Sequence, residues 1–503
     1  MRTMAMTTRK IATSAALLAA ALAGCGGAQK TSAAVMTEQA RNAEPPPENV
    51  TEGKVVVRKV SGEISKDFAA AVSSFQAAAE GGYTSAECRD GAAKFESVAS
   101  DGDKLVEGWF NAGVAYQLCG MMKEAEAVYL RALKANESHA PTLANLGEVY
   151  LRGGNLTVAK QYFDKALQAD GTTVAAYVNL GYLLFLDLKT LNSGSEQDRI
   201  RRDDLAAQAR RQLQLALAVD NRNVVARTLM ALIYLEGADR NRNQLDLATL
   251  LLDAVVKGKP VLDEGASDER KKKYEHDLLA YERDISYPPL HHAYGLIALE
   301  RGNVGKAIRD FEQAIKFDPD FVEARLNLAQ IVVSFRKYKD AETHFEHVLR
   351  QTPGSYDATI GLAVALRGQG RGDDAERLYK VALGLDGKRP EAYYDLGLLW
   401  LTRTGTGTGE VADYERARNA WSNARDFFVK YKDRGGAKAV KAADAEDNIK
   451  EAETGIKYMD EAIVEKKKLD EDAKNPPPAP PPEPAAGPVA PAAAGGSPAA
   501  PPA

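Results

Sequence analysis

Trp109-Phe110-Asn111-Ala112-Gly113-Val114-Ala115-Tyr116 is answered 34 residues later by Leu143-Ala144-Asn145-Leu146-Gly147-Glu148-Val149-Tyr150. A bulky residue, Asn, Gly and Tyr fall at the same offsets in both stretches. Each is followed by Ala, an aromatic residue and Ala: Ala125, Tyr129 and Ala132 after the first, Ala159, Phe163 and Ala166 after the second. Apolar residues three and four apart mark one face of a helix. Two such faces inside a period of this length describe a helix pair that cannot bury its own apolar side and must stack on copies of itself.

The period extends in both directions. A third unit begins at Tyr177, Leu180 and Gly181, and its second helix (Ala209, Leu213, Ala216) comes late because about sixteen residues, 188–203, are inserted between the helices. Upstream, Phe75, Phe95 and Val98 sit one period before and outline a degenerate first unit. A second run carries His291, Gly295, Ala307, Phe311, Ala314 and Pro319, then Arg325, Leu328, Ala341, Phe345 and Pro353. Leu362, Ala375, Tyr379 and Ala382 follow, and then Tyr393, Leu396, Gly397, Trp400, Ala417, Trp421 and Ala424. Between the runs, Arg227, Met230, Ala231, Tyr234, Ala248 and Leu252 outline a poorer unit, followed by a charged insertion, 257–287. The total is about nine units. The spacing resembles the tetratricopeptide repeat, which implies an all-α solenoid, a right-handed superhelix of helix pairs. A charged stretch, 437–470, is expected to cap it with Ile449, Ile456 and Ile463 facing inward; a short heptad coil is the alternative.

Composition narrows the function. The chain has 503 residues, and 65 Lys and Arg nearly balance 70 Asp and Glu for a net charge of −5, so no basic stripe is available to neutralise nucleic-acid phosphates. The three cysteines, Cys25, Cys88 and Cys119, match neither a zinc site nor a disulfide-dense scaffold.

The N-terminus supplies an address. Arg2, Arg9 and Lys10 precede an apolar stretch, Ile11 to Ala23, too short for a stable membrane span, and so form an export signal. It ends in Leu22-Ala23-Gly24-Cys25, which resembles the bacterial lipobox and implies that Cys25 is lipidated. With Gly26 and Gly27 next and no Asp, resemblance to Gram-negative lipoproteins implies sorting to the outer membrane, the folded part facing the periplasm. The expected organisation is a signal peptide over 1–24, a flexible tether over 25–61, repeats over 62–216, a degenerate unit with its insertion over 217–287, repeats over 288–432, the cap, and an unfolded Pro/Ala-rich tail over 475–503. Val55-Val56-Val57 is a candidate short strand in the tether.

In tetratricopeptide arrays, set positions of the first helices line a concave groove. The resemblance places there Phe110, Val114, Leu118, Leu151, Val178, Tyr182, Phe185 and Leu186 in the first run, and Leu296, Leu326, Val333, Ile360, Val364, Tyr394, Leu398 and Leu401 in the second. So apolar a surface reads either as a partner-binding groove or as a face covered by a tight superhelix or by the insertions. The fifth and ninth positions lack the Lys and Asn of a carboxylate clamp, and Asn111, Asn145, Asn179 and Asn327 read as structural. By the 34-residue register, Cys88 and Cys119 lie at adjoining ends of antiparallel helices and are a candidate disulfide; two separate buried thiols are the alternative.

No catalytic residue, cofactor, metal or small-molecule substrate is expected. His344 and His347 share a helix face without further ligands, and Gly405-Thr406-Gly407-Thr408-Gly409 lacks the Lys-Ser/Thr of a phosphate loop. Lipobox, long repeat array and Pro/Ala tail together resemble the tetratricopeptide lipoproteins of myxobacterial gliding-motility machines. That implies a scaffold holding proteins of a trans-envelope machine. Assembly of a pilus secretin or another outer-membrane complex, and service to peptidoglycan enzymes, are the alternatives.

Overall fold

The computed structural model describes residues 62–79, 83–101, 105–191, 195–237, 242–435 and 441–475. The expected signal sequence, Cys25, the tether with Val55-Val56-Val57 and the Pro/Ala tail lie outside them. Among the described residues there are helices and no strands, and no helix is long and apolar enough to cross a membrane. The chain divides into two units at Leu385/Asp386.

The first unit contains α1 (Gly62–Ala79), α2 (Ser85–Asp101), α3 (Val106–Leu118), α4 (Met122–Ala135), α5 (Ala140–Arg152), α6 (Leu156–Ala169), α7 (Val174–Thr190), α8 (Glu196–Val219) and α9 (Val224–Leu235). It continues with α10 (Asn243–Val256), α11 (Asp268–Ile285), α12 (Pro288–Glu300), α13 (Val304–Phe317), α14 (Val322–Ser334), α15 (Tyr338–Gln351), α16 (Tyr356–Gly368) and α17 (Gly372–Leu385). Apart from α11 these are antiparallel hairpins, each odd helix up to α9 packing on the next even one, and each even one from α12 on packing on the next odd one. Every pair also stacks on the pair before it.

Close approach inside the hairpins follows from residue size. A Cβ added at Gly113 would lie 2.3 Å from the Tyr129 ring, at Gly147 2.6 Å from Phe163, and at Gly295 2.4 Å from Phe311. The three rings have no exposed surface. Turns between paired helices use left-handed backbone at Gly120, Gly154, Gly302 and Gly370; at the same point of the repeat Arg336 adopts φ 59°, a conformation costly for a residue with a side chain. Asn155 and Asn303 cap the helices that follow by accepting from the Val158 and Lys306 amides.

The structure adds three features to the sequence reading. The insertion at 188–203 extends the helices rather than forming a long loop: α7 runs on to Thr190 and α8 starts at Glu196 behind a Ser195 cap, so only a few residues separate them. The insertion 257–287 forms α11, which packs on α10, while α12 returns to pack on α9 and α10 as the next repeat would. One core cluster therefore runs from Leu143 to Ile297, and the division of the chain falls later, inside the span 288–432.

The second unit holds α18 (Glu391–Leu401), α19 (Val411–Gly435) and α20 (Ala442–Lys474). Here the register shifts. Phe428, not Trp421, fills the space over Gly397, where a Cβ would lie 2.7 Å away, and Trp421 instead packs over Gly455 of α20. The slip is one heptad, which keeps the same face of α19 turned inward. On α20 the fully buried stripe is Ala445, Ala452 and Met459, with Ile449, Ile456 and Ile463 half-buried beside it. Ion pairs from Arg418 to Asp460 and from Lys467 to Glu415 (3.4 Å) tie the outer edges of the hairpin.

Gly295→Ala should destabilise the first unit by about 1–2 kcal/mol, the gain in helix propensity being outweighed by displacement of the Phe311 ring. Adding Phe311→Leu should recover part of the loss. Denaturant midpoints of the single and double variants measure both, and an additive double variant would refute the ring contact as the cause.

Candidate functional site

The groove positions divide by burial. Val114, Leu151, Val178, Tyr182, Phe185, Leu186 and Leu326 in the first unit, and Tyr394 in the second, are buried. Phe110, Leu118, Leu296, Val333, Ile360, Val364, Leu398 and Leu401 are half-buried. The apolar row of α7 is thus core, the covered face of the two readings its sequence allows. Tyr182, Phe185 and Leu186 belong to the same cluster as Leu290, Ala293 and Ile297 of α12, and Tyr182 lies close enough to Tyr287 and Glu323 to feel their charge. Segments more than a hundred residues away in sequence cover it. In the first unit partial exposure remains at Phe110 and Leu118 of α3 and, along α12, α14 and α16, at Leu296, Val333, Ile360 and Val364.

Polar groups lie under this closed part. His292 is fully buried, its ring 5.6 Å from Phe311 and 5.5 Å from Phe321. Asn327 Nδ2 donates to His292 Nε2 at 2.8 Å, so the ring proton sits on Nδ1, which has no partner. Burial, reinforced by the charge of Lys189, pushes His292 down to about 3 and keeps it neutral. One turn earlier on α14, Glu323 is 4% exposed, and its Oε1 has no hydrogen-bond partner. Burial first, and then the nearby Asp318 carboxylate, push it up to about 7 against the pull of its own backbone amide.

At the far end of α7 a partly buried charge cluster is complete. Lys189 and Arg202 both pair with Glu236, the latter at 2.9 Å, and Arg202 also donates to the Leu188 and Leu191 carbonyls at 3.0 Å each. Burial opposes ionisation of Glu236, but the two cations outweigh it and hold the carboxyl below its usual range. A cleft of about 290 Å³ opens beside Arg202, Arg210 and Gln244. The Arg202 contacts are internal, so the cluster reads as a clasp of α7, α8 and α9 rather than as a ligand site.

Cys88 and Cys119 are joined, with an S–S distance of 2.00 Å and Cα atoms 6.3 Å apart. The bond links the first turn of α2 to the end of α3 and closes a 31-residue separation, worth roughly 3–4 kcal/mol of chain entropy at the degenerate end of the array.

The remaining motifs are engaged internally. His347 Nε2 meets Asp320 at 2.8 Å, and among the described residues no group of three His, Cys, Asp or Glu is placed to hold a metal ion. In the Gly405–Gly409 run, Asp413 accepts from the Thr408 amide (2.8 Å) and hydroxyl (2.6 Å), so the loop is folded onto a carboxylate, a poor neighbour for phosphate. Asn111 donates to the Glu107 carbonyl at 2.7 Å and Asn145 to the Tyr129 hydroxyl at 3.0 Å. Glu323 and His292 as a buried polar pair of positions escaped the sequence reading. Each is an ordinary residue near the start of a repeat helix, and only the covering segments make it unusual.

Tetratricopeptide-repeat profiles match residues 120–173 and 293–356, and a second profile of the same repeat matches 333–397. No curated protein matches the chain. Similar solved structures include TTC0263, a thermophilic tetratricopeptide protein of Thermus thermophilus (17% identity, 46% of this chain and 100% of that one, TM-score 0.34). Human IFIT1 (17%, 70% and 78%, TM-score 0.42) and PilW, a type IV pilus biogenesis factor (13%, 49% and 92%, TM-score 0.34), are others. The chain is thus a tetratricopeptide-repeat α-solenoid, a fold whose general use is to bind protein partners.

Because Tyr182 and Phe185 are core, Tyr182→Glu with Phe185→Glu should destabilise the first unit by about 4 kcal/mol or more, each burying an unpaired charge. Thermal melting measures it. An unchanged melt would return these side chains to the surface and reopen the groove.

Proposed function

We propose that the protein is a non-enzymatic scaffold of the bacterial cell envelope, lipid-anchored through Cys25 and holding protein components of a trans-envelope machine of the gliding-motility type. The observation that carries this reading is the sequence Leu22-Ala23-Gly24-Cys25 behind an export signal, ahead of a tetratricopeptide solenoid. Thiol chemistry at the end of such a signal accepts lipid, and several acyl chains on one residue make a lasting anchor where one chain would not. The outer membrane, with the repeats facing the periplasm, is the proposed location. The disulfide of the first repeats supports an oxidising compartment.

Partner contact is assigned to the accessible strip of α12, α14 and α16, where Leu296, Val333, Ile360 and Val364 offer half-buried apolar surface at helical spacing. An apolar helix or extended segment of a partner suits such a strip.

Two variants test the two halves of the proposal. Cys25→Ala should move the protein from the membrane fraction to the soluble fraction with its helical content unchanged; continued pelleting at wild-type levels excludes anchoring through Cys25. Ile360→Glu with Val364→Glu should lower co-purification of cross-linked envelope partners at least tenfold while the melt stays within a few degrees. Equal recovery of the same partners would place the binding surface elsewhere.

A further inference from the structure

The second helix of each repeat keeps one face in the core and turns the other outward. Counted from the buried Ala of the helix, the outward places hold Lys306, Arg309 and Gln313 on α13, and Asp340, Thr343 and His347 on α15. On α10 the same three places hold Leu247, Leu250 and Ala254, all exposed, with half-buried Leu251 beside them. Leu250 is 66% exposed. Spacings of three, four and seven residues put these side chains on one face. α10 therefore carries two apolar faces, one in the core through Leu245, Ala248, Leu252 and Val255, and one in water. Leu215 and Val219, exposed on the preceding second helix α8, add apolar surface. No charge interrupts the stripe, and the acidic residues flanking it are already paired, Asp246 with Arg301 and Asp253 with Lys257, each at 2.7 Å. α11 leaves the stripe open, its Tyr281 reaching only the Val256 carbonyl at the end of α10.

We propose that α10 is the two-fold contact of a homodimer, its outer stripe packed antiparallel on the same stripe of a second copy. The stripe is complementary to itself, as a contact between identical surfaces requires. An axis through the point between Leu250 and Leu251 sets Leu250 of each copy against Leu251 of the other, and Leu247 of each against Ala254, large against small at both ends. One turn further out, Asn243 falls opposite Gly258, so no like charges meet. A charged partner finds no unpaired charge on the stripe to recognise. An anionic lipid surface finds no free cation there either, since the nearest, Lys257, is taken by Asp253. A stable dimer buries roughly 800 Å² per copy around an apolar centre, and the stripe with Leu215 and Val219 supplies that centre. The inner positions Leu296, Val333, Ile360 and Val364 lie on first helices, so the dimer leaves them free and presents two sets of them. The inference does not draw on the scaffold reading.

Cross-linking reads the contact in the full-length chain in its own membranes. Leu250→Cys treated with a short bis-maleimide should give about tenfold more covalent dimer than wild type or than Arg309→Cys, at the same place on α13, because the two-fold holds the new thiols side by side. Light scattering measures the same contact in solution. The full-length chain carrying Cys25→Ala, which keeps lipid out of the measurement, should have twice the mass of one chain. Adding Leu250→Glu, which puts an unpaired charge on the axis, should weaken the dimer roughly a hundredfold. Leu250 is exposed in the single chain, so the melt of dilute protein should not change. If Leu250→Glu is misfolded by circular dichroism, the cross-linking comparison decides alone. A single-chain mass at about 100 μM, well above the range of a specific dimer, overturns the proposal. So does a Leu250→Glu chain that dimerises as well as its parent, or equal cross-linking from Leu250→Cys and Arg309→Cys. A single-chain mass together with flotation on phosphatidylglycerol vesicles that Leu250→Glu abolishes would give the stripe to lipid and overturn the dimer as well.

Discussion

Everything else in the fold depends on a side chain no larger than a methyl group at one position of the first helices: glycine at 113, 147, 181 and 295, alanine at 231, 329 and 363. Where Gly113, Gly147 and Gly295 stand, the ring of the paired helix occupies the volume a methyl group would need. The pairs of helices approach through that contact, and the small residues Ala125, Ala159 and Ala307, fully buried one turn away from each ring, extend it. Gly181 receives Leu213 in the same way, so the constraint is on volume and not on aromatic chemistry. A second glycine contact sits between pairs rather than within them: Gly361 on α16 faces the Phe345 ring of the preceding α15, where Asn145 in an earlier repeat donates to the Tyr129 hydroxyl. Two kinds of approach, one inside the hairpin and one between hairpins, set the stacking.

This explains which parts of the fold could be read from the chain. Gly, the aromatic residue and Ala recur at fixed offsets because the contact that needs them is local, spanning one hairpin. The disulfide was legible for the same reason, since Cys88 and Cys119 belong to neighbouring helices whose antiparallel ends the register brings together. The slip in the second unit was not. A shift of seven residues along α19 leaves the same face inward, so Trp421 and Phe428 are equivalent by periodicity, and only Gly455 of α20, which accommodates Trp421, separates them. The closed face of α7 was likewise hidden, because part of its cover, Tyr287 and Leu290, Ala293 and Ile297 of α12, comes from far along the chain. Periodicity marks a face as apolar without saying whether solvent, a partner or the same chain lies against it.

The insertions show how a repeat array absorbs extra chain. The residues at 188–203 are rich in charge, and they lengthen α7 and α8 enough to bring Lys189 and Arg202 onto Glu236. Three charges in a closed group satisfy each other, and Arg202 also takes the carbonyls left over at the end of α7, so the extension has its own polar closure. Segment 257–287 takes the other route. It leaves after α10 and comes back at α12, which stacks on α9 as an uninterrupted repeat would, and α11 is held mainly by α10, with Tyr281 donating to the Val256 carbonyl at 2.9 Å. Neither insertion abolishes a glycine contact: the first lies between Gly181 and Leu213 but is taken up as helix, so the two still meet, and the second lies between successive pairs.

Three buried polar sites in one unit invite comparison, because they differ in whether the chain supplies a partner. Glu236 has two cations and keeps its charge; His292 has Asn327 and stays neutral; Glu323 has only its own amide and a repelling neighbour. The first two are stable over a wide range of pH, since the shifts that hold them run away from neutrality. Glu323 is shifted toward neutrality, so of these three it is the place where a change of a single pH unit alters the balance between buried and hydrated. A residue there that served packing alone would be better replaced by an amide or a methionine of the same length. The ionisable carboxyl costs the fold stability above neutral pH, and that cost falls on the first turn of α14, where no cation offsets it.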